Sequence, residues 1–600
     1  MQGSIRPALG LLALSGTLFF TALGGAALWD EDEPIFAGAA REMLARHEWI
    51  VPYFNGGMLP DKPVLSYWVM IAGYKLFGPT DFAARVGSAC FGCGTVLLTW
   101  VLGRRLFSPR VGLWGGVVLA SSLSFDVVAR AATPDAVLSF FCTLAFLSYV
   151  AGTRCFAFPR EADLDDLATR RTTWWGFAGS YAAMGMAVLA KGPIGFILPV
   201  MAIGLFRLVT SPYAAQATVD ASEGGRLATL RRLAVDTLRA FHPRRVFEAA
   251  HGMRPLMGLV IVLTVAGPWY AAVGLRTDGA WLAGFLGKHN LERFLHPLEH
   301  HRGPIVYYLI AVIIGFFPWS LFLGPTVFFV KSRLPRSVAG RERYCFLVCW
   351  IVAYLVFFTS AATKLPNYVV PLYPALALLT AAWIDAWLAG TCPVPARALR
   401  SAWITLTLMG LALAIALPIA AQKLLGEGTL LALIGVPLAV GGALGWWWHR
   451  RQQPGRAAVT FAVSAVLFAL TLFGLGSVEV GRHQTSRYFA DAVLDQTSNG
   501  PAVLRTFGYW RPSLVYYLGQ PVQQIMREDQ AREFCGAMPY HGFLLTTGSR
   551  YETLAKSLPA DVTVLARGRW FLRRDELLLL GRDETADRRL GNHPSQRTSR

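Results

Sequence analysis

The chain has 600 residues, 54% of them hydrophobic and 16% charged, with a mean hydropathy of +0.42 and a formal net charge of +19. A soluble chain of this length would need far more polar surface, so the composition excludes an ordinary soluble protein and points to many membrane spans. The basic excess then belongs to loops beside the membrane rather than to a nucleic-acid site, and the sequence holds no zinc-finger, Walker or dinucleotide-loop spacing.

A bilayer crossing takes roughly 20 apolar residues. On that measure spans are expected near 9–28, 82–103, 111–129, 134–153, 173–190, 193–209, 255–275, 305–330, 344–361, 367–389, 401–421, 428–447 and 457–477, about 13 in all. The first run lacks a convincing cleavage site and reads as an uncleaved helix. Cys90 and Cys93 form a CxxC, but in an apolar stretch they read as packing residues rather than a redox pair.

The loop 29–81 opens on the acidic run Asp30-Glu31-Asp32-Glu33. Apolar Ile35, Phe36, Ala39 and Met43 give 34–46 a helical period, and Leu65, Trp68, Val69, Ala72 and Leu76 do the same for 64–77. Both helices are expected to lie along the membrane surface. The loop 210–254 is basic, and over 226–249 its arginines alternate with leucines, as in helices resting on an anionic leaflet. The run Trp446-Trp447-Trp448 reads as an interfacial belt.

Past residue 477 the apolar runs stop. A helix at 486–494 and strands at 502–507, 543–547, 562–565 and 577–580 predict a small α/β domain over 478–580, and 581–600 reads as a disordered tail. The fold class expected is thus an α-helical polytopic membrane domain, 1–477, followed by that soluble domain. Basic residues gather in alternate loops, from Arg104, Arg105 and Arg110 to Arg450, Arg451 and Arg456. That alternation puts the N-terminus in the cytoplasm, and the loop 29–81 and the C-terminal domain outside.

On this topology Asp32, Asp61, Lys62, Asp135, Lys191, Arg293 and Lys364 all fall at the outer face. Lys191 and Lys364 stand in tight reversals, Lys191-Gly192-Pro193 and Lys364-Leu365-Pro366, where little water surrounds them and an anionic partner is favoured. A transporter would instead place such charges near the midplane on broken helices. Each residue also has a plainer reading: Asp32 and Asp135 as helix caps, Asp61 and Lys62 as an exposed pair, the lysines as snorkelling anchors.

The ordered motifs decide between these readings. Asp32-Glu33-Pro34 through Arg41-Glu42-Met43, then Asn55-Gly56, Asp61-Lys62-Pro63, Tyr67-Trp68 and Ala84-Arg85 resemble the first loop of the aminoarabinose-transferase family. Thr133-Pro134-Asp135, Lys191-Gly192-Pro193, His289-Asn290 with Arg293, Tyr307-Tyr308, and Lys364-Leu365-Pro366 with Tyr368 continue the resemblance in order. These are GT-C glycosyltransferases that use a polyprenyl-phosphate sugar, distantly similar to protein O-mannosyltransferases. The chain departs from the pattern at Phe36, where a Tyr is usual, and at Asp61, where a Glu is usual.

The resemblance implies a GT-C-like fold and sugar transfer by single displacement with inversion. It makes Asp32, and with it Asp135, the catalytic carboxylates, and Asp61, Lys62, Lys191, Arg293, Lys364, Tyr307 and Tyr368 the binders of the carrier phosphate and substrate. The chemistry fits independently, since displacing a polyprenyl phosphate needs a base for the acceptor hydroxyl and cations for the phosphate. The expected partners are a polyprenyl-phosphate-linked sugar, a glycolipid (lipid A-like) or protein acceptor and membrane lipids, with no nucleic acid. No metal site is assigned to His289, His300 and His301, and a divalent metal is left open as a cofactor. A lipid or sugar flippase, and a scaffold without activity, are the competing readings.

Overall fold

The computed structural model describes residues 5–153, 156, 172–210, 242–296, 302–335, 340–392, 396–498, 500–573 and 575–582. Expectations for the basic stretch 226–241, for His300 and His301, and for the tail beyond 582 lie outside the described residues; of the basic loop, 210 and 242–254 fall within them, the latter holding the helix Pro243–His251.

The first part of the chain is helical, and each expected span overlaps a helix. The count of about 13 crossings is not confirmed, however. Among the described residues eight helices are long and apolar enough to cross a membrane, or up to ten if each of two bent pairs is one span. Arg6–Phe20 and Ile194–Val209 are apolar but have 15 and 16 residues, short of a full crossing.

The two bent pairs have local causes. Pro109–Ala120 and Leu123–Arg130 meet at 68°, where the hydroxyls of Ser121 and Ser122 bond back to the carbonyls of Val117 and Val118. Tyr307–Gly315 and Trp319–Arg333 meet at 112° around Pro318, which has no amide to continue a helix. The bends clasp each other: Trp319 Nε1 donates to Ser121 Oγ at 3.0 Å, and the Leu123 amide to the Phe317 carbonyl at 3.0 Å.

The loop after the first helix folds as its periodicity predicts, into helices Asp32–Ala45 and Leu65–Phe77. Between them β1 (Tyr53–Phe54) and β2 (Gly57–Met58) pair antiparallel across Asn55-Gly56, both with positive φ as a two-residue hairpin turn requires. These helices pack into a core of their own with Trp269, Trp281 and Phe285.

The C-terminal part forms a five-stranded sheet of β3 (Val503–Phe507), β4 (Gln523–Ile525), β5 (Gly542–Thr547), β6 (Val562–Arg569) and β7 (Glu576–Arg582), in the order β4-β3-β5-β7-β6. β3 runs parallel to β4 and β5, whereas β7 is antiparallel to β5 and β6. Helices cover both faces. Phe489, Val493 and Leu514 pack on Leu577 and Leu579, and Phe534 and Cys535 lie on the side of Leu580, so the run Leu577 to Leu580 is buried throughout. β4, three residues long and polar, escaped the sequence reading.

This sheet unit is docked on the first loop. Asn55 exchanges two hydrogen bonds with the backbone of Val522, Arg41 donates to the Tyr516 carbonyl, and Tyr517 Oη accepts from the Leu28 amide at 2.7 Å.

Candidate active site

Six stretches of the chain converge on one cavity of about 830 Å³. The helix Asp32–Ala45 brings Asp32 and Phe36, and the turn ahead of Leu65–Phe77 brings Asp61 and Lys62. Asp135 opens the helix Asp135–Gly152, and Lys191 closes Trp174–Lys191. Gly192 follows with φ +87°, and a Cβ there would fall 2.5 Å from the Phe285 ring, so the reversal needs glycine. The helical turns Ala283–Glu292 and Arg293–Leu295 supply His289 and Arg293, and Tyr368 comes from the segment after Lys364.

Inside the cavity the charges are paired. Lys62 Nζ lies 2.6 Å from Asp61 Oδ1, and His289 Nδ1 lies 2.9 Å from the same oxygen. Burial alone would raise the Asp61 pKa; Lys62 and His289 more than offset it and hold this carboxyl well below the usual carboxylate range. Lys62 also stands 5.6 Å from the Phe36 ring centroid, a cation–π contact that needs no hydroxyl at that position. Lys191 donates to Asp135 Oδ1, Asn367 Nδ2 donates to Asp135 Oδ2 at 3.1 Å, and Lys191 lies over the Tyr368 ring at 5.2 Å. Arg293 is within hydrogen-bonding reach of the Tyr368 hydroxyl.

Asp32 differs from both of these carboxylates. It is open to the solvent of the cavity yet enclosed by protein on most sides. That enclosure raises its pKa; nearby Lys62 and Lys191 pull it down, and Asp135 and Asp61 push it further up. A carboxylate with a raised pKa beside several cations can accept a proton while an anion forms next to it. Asp30, by contrast, points away from the cavity, its oxygens accepting from the Ser513 amide at 3.1 Å and the Ser513 hydroxyl at 2.7 Å.

The lining is also apolar, with Ile194, Phe294, Phe357 and Phe358 facing the same space. Ile197 and Leu286 in that lining are 36% and 45% exposed on the helix surface, so the cavity rim reaches apolar side chains that would face lipid.

Two of the expected phosphate binders stand apart from the lining. Lys364 Nζ donates to the carbonyls of Thr359 at 2.9 Å and Ala361 at 3.0 Å and lies over the Tyr308 ring, while its neighbours Thr363 and Leu365 face the cavity. Tyr307 stacks edge-on against Tyr308, and a Cβ at Gly303 would meet both Tyr307 and Lys364. Among the described residues no three His, Cys, Asp or Glu side chains are grouped to hold a metal ion.

The sequence reading missed the role of Glu33. Its carboxylate accepts from Nε and Nη2 of Arg85, one bond to each oxygen, and from the amides of Trp29 and Ala132, each at 2.7 Å. The signal was available, because a lone arginine inside the otherwise apolar run 82–103 demands a partner.

Comparison with known proteins agrees with this picture. The family model for dolichyl-phosphate-mannose-protein mannosyltransferases matches residues 9–224. An undecaprenyl phosphate-α-4-amino-4-deoxy-L-arabinose arabinosyl transferase of Pectobacterium carotovorum is 30% identical over 410 residues, 68% of this chain and 64% of that protein. Its counterpart from Pectobacterium atrosepticum is 29% identical over the same length, so the match spans less than two thirds of either relative. In fold, the crystal structure of ArnT from Cupriavidus metallidurans bound to undecaprenyl phosphate superposes with a TM-score of 0.69 at 21% identity, covering 96% of this chain and 98% of that one. The resemblance carried by the ordered motifs is therefore borne out, in sequence and in fold, and this multi-pass membrane protein is similar to the aminoarabinose-transferase group of GT-C glycosyltransferases.

Proposed function

We propose that this chain is an inner-membrane glycosyltransferase that moves a sugar from a polyprenyl-phosphate carrier to an envelope glycolipid of the lipid A kind, at the extracytoplasmic face. The observation that carries the reading is Asp32, a carboxyl of raised pKa, sharing one cavity with Lys62, Lys191 and Arg293 and with an apolar rim. The names of the curated relatives and the ligand of the solved neighbour support a polyprenyl-phosphate donor.

In the step this supports, the acceptor hydroxyl gives its proton to Asp32 as its oxygen bonds to the anomeric carbon. The bond from that carbon to the carrier phosphate breaks on the opposite side, giving inversion. The electron pair goes to the phosphate oxygen, beside Lys62, Lys191 and Arg293. Asp135 is engaged by Lys191 and Asn367, which leaves proton acceptance to Asp32 and makes Asp135 the residue that orients Lys191. The carrier's chain lies along the rim near Ile197 and Leu286.

The orientation follows from the loop charges: N-terminus in the cytoplasm, the 210–254 loop inside, and the loop 29–81 and the domain 478–580 outside. The docking of the sheet unit on the first loop supports a shared side for these last two. A protein acceptor is the second reading, favoured by the family model that matches the N-terminal third. A flippase reading is disfavoured because Asp32, Asp135 and Lys191 stand at helix ends rather than mid-helix. Mass spectrometry of envelope lipids and glycoproteins from a deletion strain tests the proposal. A glycolipid losing one sugar is the expected result, a glycoprotein losing one supports the second reading, and no change in either refutes both.

A further inference from the structure

Where the first loop meets the sheet unit there is a second cleft, of about 330 Å³. Its walls include Trp29 and Asp30 from the loop, Arg511 from the turn after β3, and Trp570, Phe571 and Arg573 from the turn between β6 and β7. Trp29 is 52% exposed and meets Phe571 edge-on at 5.9 Å. Arg573 lies 5.7 Å over the Trp570 ring and, among the described residues, makes no ion pair. The helix Thr485–Gln496 opens on the same cleft and has no side-chain cap.

This combination has a definite chemistry. Aromatic faces cover the apolar side of a sugar ring, and guanidinium groups hold phosphate in a fork. A carboxylate has about four lone-pair positions, so Asp30 keeps room for sugar hydroxyls beyond its two bonds to Ser513. The cleft also adjoins the larger cavity. Arg511 donates to Glu31 at 3.0 Å, Glu31 lines that cavity, and Asp30 is two residues from Asp32, within about 8 Å along the chain.

We propose that this cleft seats the phosphorylated saccharide headgroup of the acceptor glycolipid, its phosphate on Arg573 and Arg511 and its ring against Trp29 and Trp570. The inference rests on the glycolipid reading above. In this arrangement the sheet unit presents the acceptor hydroxyl to Asp32.

The test is binding to the full chain in nanodiscs, using a bis-phosphorylated glucosamine-disaccharide lipid and its dephosphorylated form as probes. Arg573→Glu should weaken binding of the phosphorylated lipid about tenfold or more and leave the dephosphorylated lipid unaffected. Trp570→Ala should weaken both, and undecaprenyl phosphate should bind either variant as it binds the parent, which reports an intact membrane domain. The proposal is overturned if the parent chain does not prefer the phosphorylated lipid, if Arg573→Glu leaves that preference in place, or if a peptide acceptor competes for the site. Failure of the transferase reading looks different: Arg573-dependent binding of the phosphorylated lipid with no sugar transferred to it.

Discussion

The carboxylate of Glu33 and the guanidinium of Arg85 meet in two hydrogen bonds of 2.8 and 2.7 Å, beside the site rather than in it. Arg85 further donates to the carbonyls of Leu23, Ala26 and Ala27, and Glu33 accepts from Trp29 and Ala132. One buried pair therefore joins the segment that follows the first helix, the helix that carries Asp32, and the connection that leads to Asp135. Glu33→Gln or Arg85→Met should each cost about 3–5 kcal/mol, because the remaining partner is left buried and unmatched. Thermal unfolding in detergent measures this. The double variant Glu33→Leu with Arg85→Met should recover only part of the loss, since the carbonyls held by Arg85 stay unpaired.

The same pair sets an acid limit on stability. Burial alone would raise the Glu33 pKa, but Arg85 and the two amides hold it below its ordinary value of 4.5. A carboxyl lowered in the folded state stabilises the fold above the unfolded pKa, and that stability is lost as pH falls through the folded pKa. Melting temperature followed from pH 6 downward should therefore fall only below about 4.5, and Glu33→Gln should flatten that limb.

Asp32→Asn keeps size and most hydrogen bonding while removing the proton acceptor. Transfer in a reconstituted assay should drop about 10²–10⁴-fold with carrier binding nearly unchanged. Asp30→Asn should retain turnover, with its effect confined to the contact with Ser513 and so to acceptor affinity. Near-normal transfer by Asp32→Asn would remove Asp32 from the mechanism.

Because enclosure raises the Asp32 pKa, kcat/KM should rise with pH along an acid limb placed above the ordinary aspartate value of 3.8. Lys62 lowers this pKa and Asp135 raises it. Lys62→Met should therefore move the limb to higher pH, and Asp135→Asn to lower pH. A limb that stays put in both variants would assign it to another group.

The two lysines expected to hold phosphate should separate. Lys191 lines the cavity, so Lys191→Met should weaken binding of undecaprenyl phosphate by about 2–5 kcal/mol. Lys364 is engaged by the carbonyls of Thr359 and Ala361, so Lys364→Met should lower thermal stability with a smaller effect on carrier affinity. Equal losses of affinity would place Lys364 in the site after all.

The sequence by itself determined the helical elements, the first-loop helices, most of the sheet strands and the set of charges worth watching. Those properties are local: apolar runs of fixed length, a period of 3.6 or 2, and Pro or Gly at the breaks. Only the tertiary structure decided what the charges do. Asp30 and Asp32 are two residues apart in one acidic run, yet one grips Ser513 and the other faces Lys62, because a helix begins between them and the sheet unit docks on one side. Lys191 and Lys364 stand in similar tight turns, yet Asp135 sits opposite the first and backbone carbonyls opposite the second. The clasp between the two bent helix pairs was likewise not legible, because Ser121-Ser122 and Pro318 mark the breaks locally but the bond from Trp319 to Ser121 spans 198 residues of chain. Spacing along a chain tells which residues can share a helix face; which carboxylate meets which cation is fixed by long-range packing, and here that packing supplies the proposed chemistry.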